Sequence, residues 1–148
     1  MEDDVIGFAE AAANWVPVRT SLDSPADRGR LTGPGLRTFF NIADDWDLST
    51  DQQRTLLGGI SKSCLHNWKA NRFSALSRDQ LERISLVLGI YKAMALLFAD
   101  GDGGKRWLKA ANSEAVFGGA SPLARMLHGG IEDLYATRRY LDAWRGVR

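Results

Sequence analysis

The sequence predicts an all-α fold. Apolar residues recur at the spacing of a helix face from Leu36 onward, and no segment of the sequence alternates with the period of two typical of strands. Two capping-box patterns, Ser49-x-x-Gln52 and Ser77-x-x-Gln80, indicate helix starts, because each can satisfy free N–H groups of a first turn. Paired glycines, which favour helix ends, stand at 58–59, 118–119 and 129–130.

Composition limits the class of protein. The chain has 148 residues, 45% of them hydrophobic and 25% charged, with a net charge of +1, as is ordinary for a soluble globular protein. No apolar run in the sequence is long enough to cross a bilayer, and Met1–Asp4 lacks a basic region, so we expect a cytoplasmic protein without a secretory signal. A single thiol, Cys64, and two imidazoles, His66 and His128, predict neither disulfides nor a metal site, and we expect no cofactor.

Helix breakers divide the chain. Residues 1–35 contain Pro17, Ser24-Pro25 and Gly33-Pro34-Gly35 and are predicted to form a mobile arm, with a short helix around Ile6–Trp15. We expect residues 36–77 and residues 78–148 to form two further segments, both helical.

The long helix predicted from Arg78 to Phe98 carries two adjacent apolar stripes, so it is either central to the core or partly in an interface. Gly89 lies within it at a cost of about 1 kcal/mol relative to alanine, and Asp100–Gly104 is predicted to be a turn. The other predicted helices are Leu36–Trp46, Thr50–Leu57, a short helix between Ile60 and Trp68, one with Trp107 and Leu108 facing inward, one beginning at Pro122 behind the cap Ser121, and Ile131–Trp144.

The stretch Leu48–Asn71 has the pattern of a helix-turn-helix, in which the second helix enters the DNA major groove. Residues 52–78 contain five cations and no acidic residue, which favours a surface facing a polyanion; a merely solvated helix face is the alternative. Arg54 and Arg72 are placed for phosphate contacts. If Ile60, Cys64, Leu65 and Trp68 turn inward, with Cys64 a buried small hydrophobe, the outward residues are Lys62, Ser63, His66, Asn67 and Lys69.

A series of glycine, proline and aromatic positions runs through the C-terminal part of the chain. They are Leu88-Gly89-Ile90-Tyr91-Lys92-Ala93, Leu97-Phe98, Trp107-Leu108, Asn112, Phe117-Gly118-Gly119, Ser121-Pro122-Leu123, Gly129-Gly130 and Arg139-Tyr140-Leu141-Asp142-Ala143. In order and approximate spacing this series resembles the MbcA/ParS/Xre antitoxin family. A helix-turn-helix directly upstream is also expected in that family.

The resemblance implies a helix-turn-helix bundle continuous with a toxin-binding and dimerisation domain at 78–148. It also implies a partner, a RES-domain toxin that consumes NAD, whose pocket the antitoxin's C-terminus would occlude. Carried over to this chain, the candidate toxin-binding residues are Tyr140, Trp144, Arg145 and Arg148, since an arginine fork suits carboxylates and phosphate sites. A homodimer binding a near-palindromic operator for autoregulation is expected as well.

A free-standing dimeric helix-turn-helix regulator is the main alternative function. An enzyme is not expected, because the sequence shows no nucleophile–base pair, and Gly101–Arg106 fails as a phosphate loop, with Arg106 where serine or threonine should follow the lysine. One feature weakens the DNA interpretation relative to the toxin one: Gly58-Gly59 raises the entropic cost of ordering the turn.

Overall fold

The computed structural model describes residues 22–146, and within them the regular elements are seven α-helices and no strand, which confirms the all-α prediction. None of the described helices combines the length and apolar character required to cross a membrane. The helices are α1 Pro25–Asp45, α2 Thr50–Leu56, α3 Lys62–Lys69, α4 Arg78–Leu97, α5 Gly101–Lys109, α6 Pro122–Met126 and α7 Ile131–Trp144.

The chain forms two compact units, and the boundary between Leu88 and Gly89 lies inside α4. The first unit contains α1, α2, α3 and the first half of α4. The second contains the rest of α4 and the helices α5, α6 and α7. Each unit therefore takes part of its core from the same long helix.

The first helix begins much earlier than predicted. It starts at Pro25, not Leu36, behind the cap Ser24, whose hydroxyl accepts from the Asp27 N–H. It continues through Gly33-Pro34-Gly35, so the arm predicted to reach residue 35 is helical from Pro25 onward. Residues 1–21, including the helix expected at Ile6–Trp15, lie outside the described residues.

A buried hydroxyl ties the early part of α1 to the first unit. Thr32 is 1% exposed; its Oγ1 donates to the Arg28 carbonyl at 2.6 Å and accepts from the Leu76 N–H at 3.0 Å. The second bond spans the chain from α1 to the segment before α4. This contact and the burial of Gly35 and Leu36 compensate for the hydrogen bond that Pro34 removes from the helix.

Replacing Thr32 with valine is expected to lower the free energy of unfolding by about 1–3 kcal/mol, because the Leu76 N–H would stay buried without an acceptor. Urea denaturation followed by circular dichroism measures the change. Thr55→Val is the matched control, since its hydroxyl bonds only the Asp51 carbonyl one turn earlier in α2. Equal losses for the two variants would contradict the assigned role of Thr32.

The middle of α4 is buried on both of its apolar stripes. Every residue from Ile84 to Ile90 is buried, which places this part of the helix in the core. The packing around α4 explains why a glycine stands at position 89. A methyl group there would overlap the guanidinium of Arg138, which crosses the helix at this point. Near the end of α4 the burial stops: Leu96 has 72% of its surface exposed, and Ala95 beside it is exposed too.

The turn predicted at Asp100–Gly104 is instead the first turn of α5. The Asp100 carboxylate caps this helix by accepting from the Gly103 N–H. Gly104 is buried, and an added methyl group would lie 3.4 Å from the Met94 side chain and 3.5 Å from Phe98. The glycine-rich sequence therefore brings α5 close to the end of α4.

The remaining helix starts agree with prediction. Ser49 and Gln52 form a reciprocal capping box at α2, as do Ser77 and Gln80 at the start of α4. The Ser121 hydroxyl accepts from the Ala124 N–H at 3.0 Å, with Pro122 in the first turn of α6.

Candidate functional site

The turn between α2 and α3 requires both of its glycines. Gly58 has φ +97° and Gly59 has φ +82°, a left-handed conformation that other residues adopt at a cost. The Gly59 N–H donates to the Arg54 carbonyl at 2.8 Å and the Gly58 N–H to the Thr55 carbonyl at 3.0 Å, which is the Schellman pattern of helix ends. The glycine pair therefore forms a defined, hydrogen-bonded turn. From sequence alone, the pair was expected to make the turn more costly to order.

Arg54 has a defined place beside this turn. Its Nε donates to the Ile60 carbonyl at 2.7 Å and its Nη1 to Asp51 Oδ1 at 3.0 Å. These bonds hold the entry of α3 against α2. The structure thus gives Arg54 a role in closing the turn, whereas the sequence predicted a phosphate contact.

Helix α3 presents the polar face that the sequence predicts. Its cap is Ser61, whose hydroxyl accepts from the Cys64 N–H. Ile60 and Leu65 are buried, whereas Cys64 and Trp68 are only half-buried, so the prediction of a fully buried Cys64 is wrong. The exposed residues on α3 are Lys62, Ser63, His66, Asn67 and Lys69, and Arg72 is exposed just after it.

The second unit contains five aromatic side chains in mutual contact, which we call the aromatic cluster. Trp107 of α5 lies at its centre, with ring centroids 6.2 Å from Tyr140, 5.9 Å from Phe117 and 6.1 Å from Trp144. Phe98, at the end of α4, packs edge-on against Trp144 at 5.7 Å. Offset and edge-to-face contacts of this kind are favourable beyond the area they bury.

The cluster is buried at one side and exposed at the other. Phe117 is 5% exposed, whereas Trp144 is 49% exposed. The loop that carries Phe117 is closed by Asn112, which donates its N–H to the Ala120 carbonyl and accepts from the Gly119 N–H. Gly118 and Gly119 both have positive φ there. The chain therefore builds a rigid support beneath one half-exposed tryptophan.

Comparison with known families accounts for both sites. Residues 25–89 match the antitoxin Xre-like helix-turn-helix domain, and residues 93–146 match the antitoxin Xre/MbcA/ParS C-terminal toxin-binding domain. The chain belongs to the Xre/MbcA/ParS antitoxin family. The antitoxin is also 41% identical over 130 residues to an uncharacterized protein, y4oB, of Sinorhizobium fredii, covering 88% of this chain and 97% of that one.

The two matches confirm the family resemblance seen in the sequence. A toxin-binding domain means that the antitoxin has a cognate toxin as its partner, and the family is not enzymatic. The helix-turn-helix match begins at residue 25, where α1 begins, rather than at residue 36. The aromatic cluster lies wholly within the segment that matches the toxin-binding domain.

The four predicted toxin-binding residues have different surroundings in the antitoxin. Trp144 and Tyr140 belong to the aromatic cluster. Arg145 is held to α7, because its Nη2 lies 3.1 Å from Asp142 Oδ1 while Arg138 Nε takes the other carboxylate oxygen at 3.0 Å. Arg148 lies outside the described residues.

Tyr140 contacts the aromatic rings of its neighbours and lies in the electrostatic field of the Glu114 carboxylate. Burial, followed by the charge of Glu114, raises the pKa of its phenol above the ordinary value. The phenol is therefore neutral at physiological pH and serves as a hydrogen-bond donor or acceptor.

Sequence reasoning missed the cluster as a unit. Taken singly, Phe98, Trp107 and Phe117 are predicted to be core residues or positions shared with the family. Because they come from three different segments of the antitoxin, the sequence does not indicate that they meet. Their shared place at one end of α7 depends on how α5 and the 110–121 loop pack. No local pattern in the sequence links these residues.

Proposed function

We propose that the antitoxin neutralises a RES-domain, NAD-consuming toxin in the cytoplasm by covering the toxin's active site with α7 and the residues that follow it. The observation that carries this proposal is the half-exposed Trp144, supported from below by Trp107, Phe98 and Tyr140. An exposed tryptophan on a rigid support is the kind of residue that dominates binding energy at protein interfaces.

The ion pairs of α7 bear on which arginine enters the toxin. Arg145 would have to leave Asp142, and its side chain is only 22% exposed. We therefore favour Arg148, four residues after Trp144 in the sequence, for the toxin's NAD pocket. Arg145 then serves to hold the last turn of α7 in place beneath Trp144.

We further propose that α3 reads an operator and so mediates autoregulation. The exposed residues of α3 include a lysine, which suits guanine, and an asparagine, which suits adenine. The capped, glycine-closed turn fixes the helix that carries them. Exposed cations such as Arg72 supply phosphate contacts.

The toxin proposal predicts that a RES-domain enzyme is encoded beside this antitoxin, and that enzyme is the one used in the test. The two purified proteins are mixed, and NAD consumption is followed as the antitoxin is titrated. Loss of activity with a sharp end point is expected. An enzyme that stays fully active would overturn the toxin proposal, and operator binding without any enzyme partner would favour the free-standing regulator.

A homodimer is proposed on a different observation. Leu96, on α4, is 72% exposed, and Ala95 and Ala99 near it are exposed too. Isolated exposed leucines are common, but one between two small side chains allows a second helix to approach closely.

Replacing Leu96 with glutamate is expected to weaken the dimer by about tenfold or more, because a charge would be buried in an apolar contact. Light scattering after gel filtration measures the mass over a concentration series. Ala75→Glu is the control, since this residue is exposed in the loop before α4. If L96E and A75E dimerise equally, Leu96 is not at the interface.

A further inference from the structure

Lys69, at the end of α3, is held over α1. Its Nζ lies 5.6 Å from the centroid of the Phe40 ring, in cation–π geometry. Phe40 is half-buried and packs edge-on against the buried Phe39, with centroids 5.7 Å apart. The ring is thus fixed, and the ammonium group that rests on it is directed towards α1.

A second contact lies two turns earlier on α1. A methyl group at Gly33 would lie 3.3 Å from Arg37 Nη1 and 3.6 Å from the Phe73 ring. The guanidinium and the ring therefore share the space above this glycine. Arg72, next to Phe73, is exposed. We call Arg37, Phe40, Lys69, Arg72 and Phe73 the flank surface.

The flank surface carries unneutralised charge. Arg37, Lys69 and Arg72 are all exposed, and none of them pairs with a carboxylate within residues 22–146. Other exposed arginines of the first unit differ: Arg30 is paired with Asp27 at 2.8 Å, and Arg78 with Asp23 at 3.2 Å. Three exposed cations without a carboxylate partner, two of them beside aromatic rings, favour a polyanionic ligand.

We propose that the flank surface binds the phosphate backbone of DNA and extends the helix-turn-helix interface from α3 onto α1. Arg37 and Arg72 contact phosphates, and Phe40 is a positioning residue for Lys69. The inference rests on the proposed DNA-binding function, because Lys69 belongs to both surfaces. The exposed Asp44 and Asp45 on the last turn of α1 limit the contact, since they repel a phosphate strand beyond Phe40.

Phosphate contacts are independent of base sequence and depend on salt. Arg37→Gln is therefore expected to weaken binding to the operator and to a scrambled duplex by the same factor. The slope of log affinity against log salt should fall by about one. Fluorescence anisotropy over a potassium chloride series, with the full-length antitoxin, measures both. Arg106→Gln, an exposed arginine on α5, is the matched control and should leave the slope unchanged.

The role of Phe40 is tested by measuring how its substitution is coupled to the substitution of Lys69. Phe40→Leu keeps an apolar side chain but removes the ring face, so DNA affinity should fall about two- to threefold in the native background. The same change should have no further effect when Lys69 is already glutamine. Equal effects in both backgrounds, at unchanged thermal stability, would show that Phe40 does not act through Lys69 and would overturn its role.

The outcomes separate this inference from the operator proposal. If Asn67→Ala abolishes sequence preference while Arg37→Gln leaves the salt slope unchanged, the flank surface is refuted and the operator function stands. If the antitoxin shows Arg37-dependent binding to any duplex without sequence preference, the flank surface stands and operator reading fails. Absence of all duplex affinity overturns both.

Discussion

Replacing Trp144 with alanine is expected to weaken the complex with the toxin by about 2–4 kcal/mol, or roughly 30- to 1000-fold in Kd. The indole is half-exposed, but Trp107, Tyr140 and Phe98 hold it in one orientation, so little conformational entropy is lost when a partner covers it. Isothermal calorimetry and titration of NAD consumption both measure the loss.

The controls for Trp144 separate binding from folding. Trp144→Phe keeps an aromatic ring over Trp107 and should recover much of the affinity. Removal of residues 144–148 should release the enzyme at least as fully as the alanine variant, because it also removes Arg148. An alanine variant that folds normally and inhibits the toxin as strongly as the native antitoxin would show that the tryptophan lies outside the interface.

Asn67→Ala and Lys62→Ala are each expected to reduce operator affinity by about 1–3 kcal/mol and to relax the preference for the operator over other sequences. Both side chains project from the exposed face of α3. Electrophoretic mobility shift or anisotropy with operator and scrambled duplexes measures the two effects. Inhibition of the toxin should be unchanged, because these residues lie outside the segment that matches the toxin-binding domain.

A matched control for Lys62→Ala lies in the second unit. Lys109→Ala, exposed at the end of α5, removes the same side chain type outside both proposed DNA-facing surfaces. If Asn67→Ala and Lys62→Ala both leave operator affinity at the level of this control, α3 is not the recognition helix.

Local chemistry made most helix boundaries predictable. A cap needs only a hydroxyl or carboxylate and the N–H groups of the next turn, so Ser49, Ser77 and Ser121 could be recognised from a few neighbouring residues. The exposed face of α3 was predictable for the same reason, since the spacing of Cys64, Leu65 and Trp68 places them together on one side of the helix.

Helix-breaking residues gave wrong predictions where tertiary contacts stabilise a helix through them. Gly33-Pro34-Gly35 indicates a loop by local preference, yet α1 passes through it, because Thr32 bonds to Leu76 and Leu36 is buried. At Asp100 the glycines that follow favoured a turn, whereas the Asp100 carboxylate caps α5. In α1 the stability that decides the outcome comes from residues distant in sequence.

The proposed recognition sites also differ in whether their residues are close together or far apart in the sequence. The polar residues of α3 are close together in the chain and could be named in advance. The aromatic cluster gathers Phe98, Trp107 and Phe117 from separate segments, and the flank surface joins α1 to the residues after α3. Contacts between distant segments have no periodic signature in one sequence, so neither surface could be derived from it.

The course of α4 has a consequence for how the protein can be divided. Because the boundary between the two units falls between Leu88 and Gly89, in the middle of one uninterrupted helix, no exposed linker separates them there. A fragment ending at that point would leave Leu88 or Ile90, both fully covered in the intact chain, open to solvent. Fragments made for separate study should therefore each retain all of Arg78–Leu97, and limited proteolysis should spare this stretch while it cuts elsewhere.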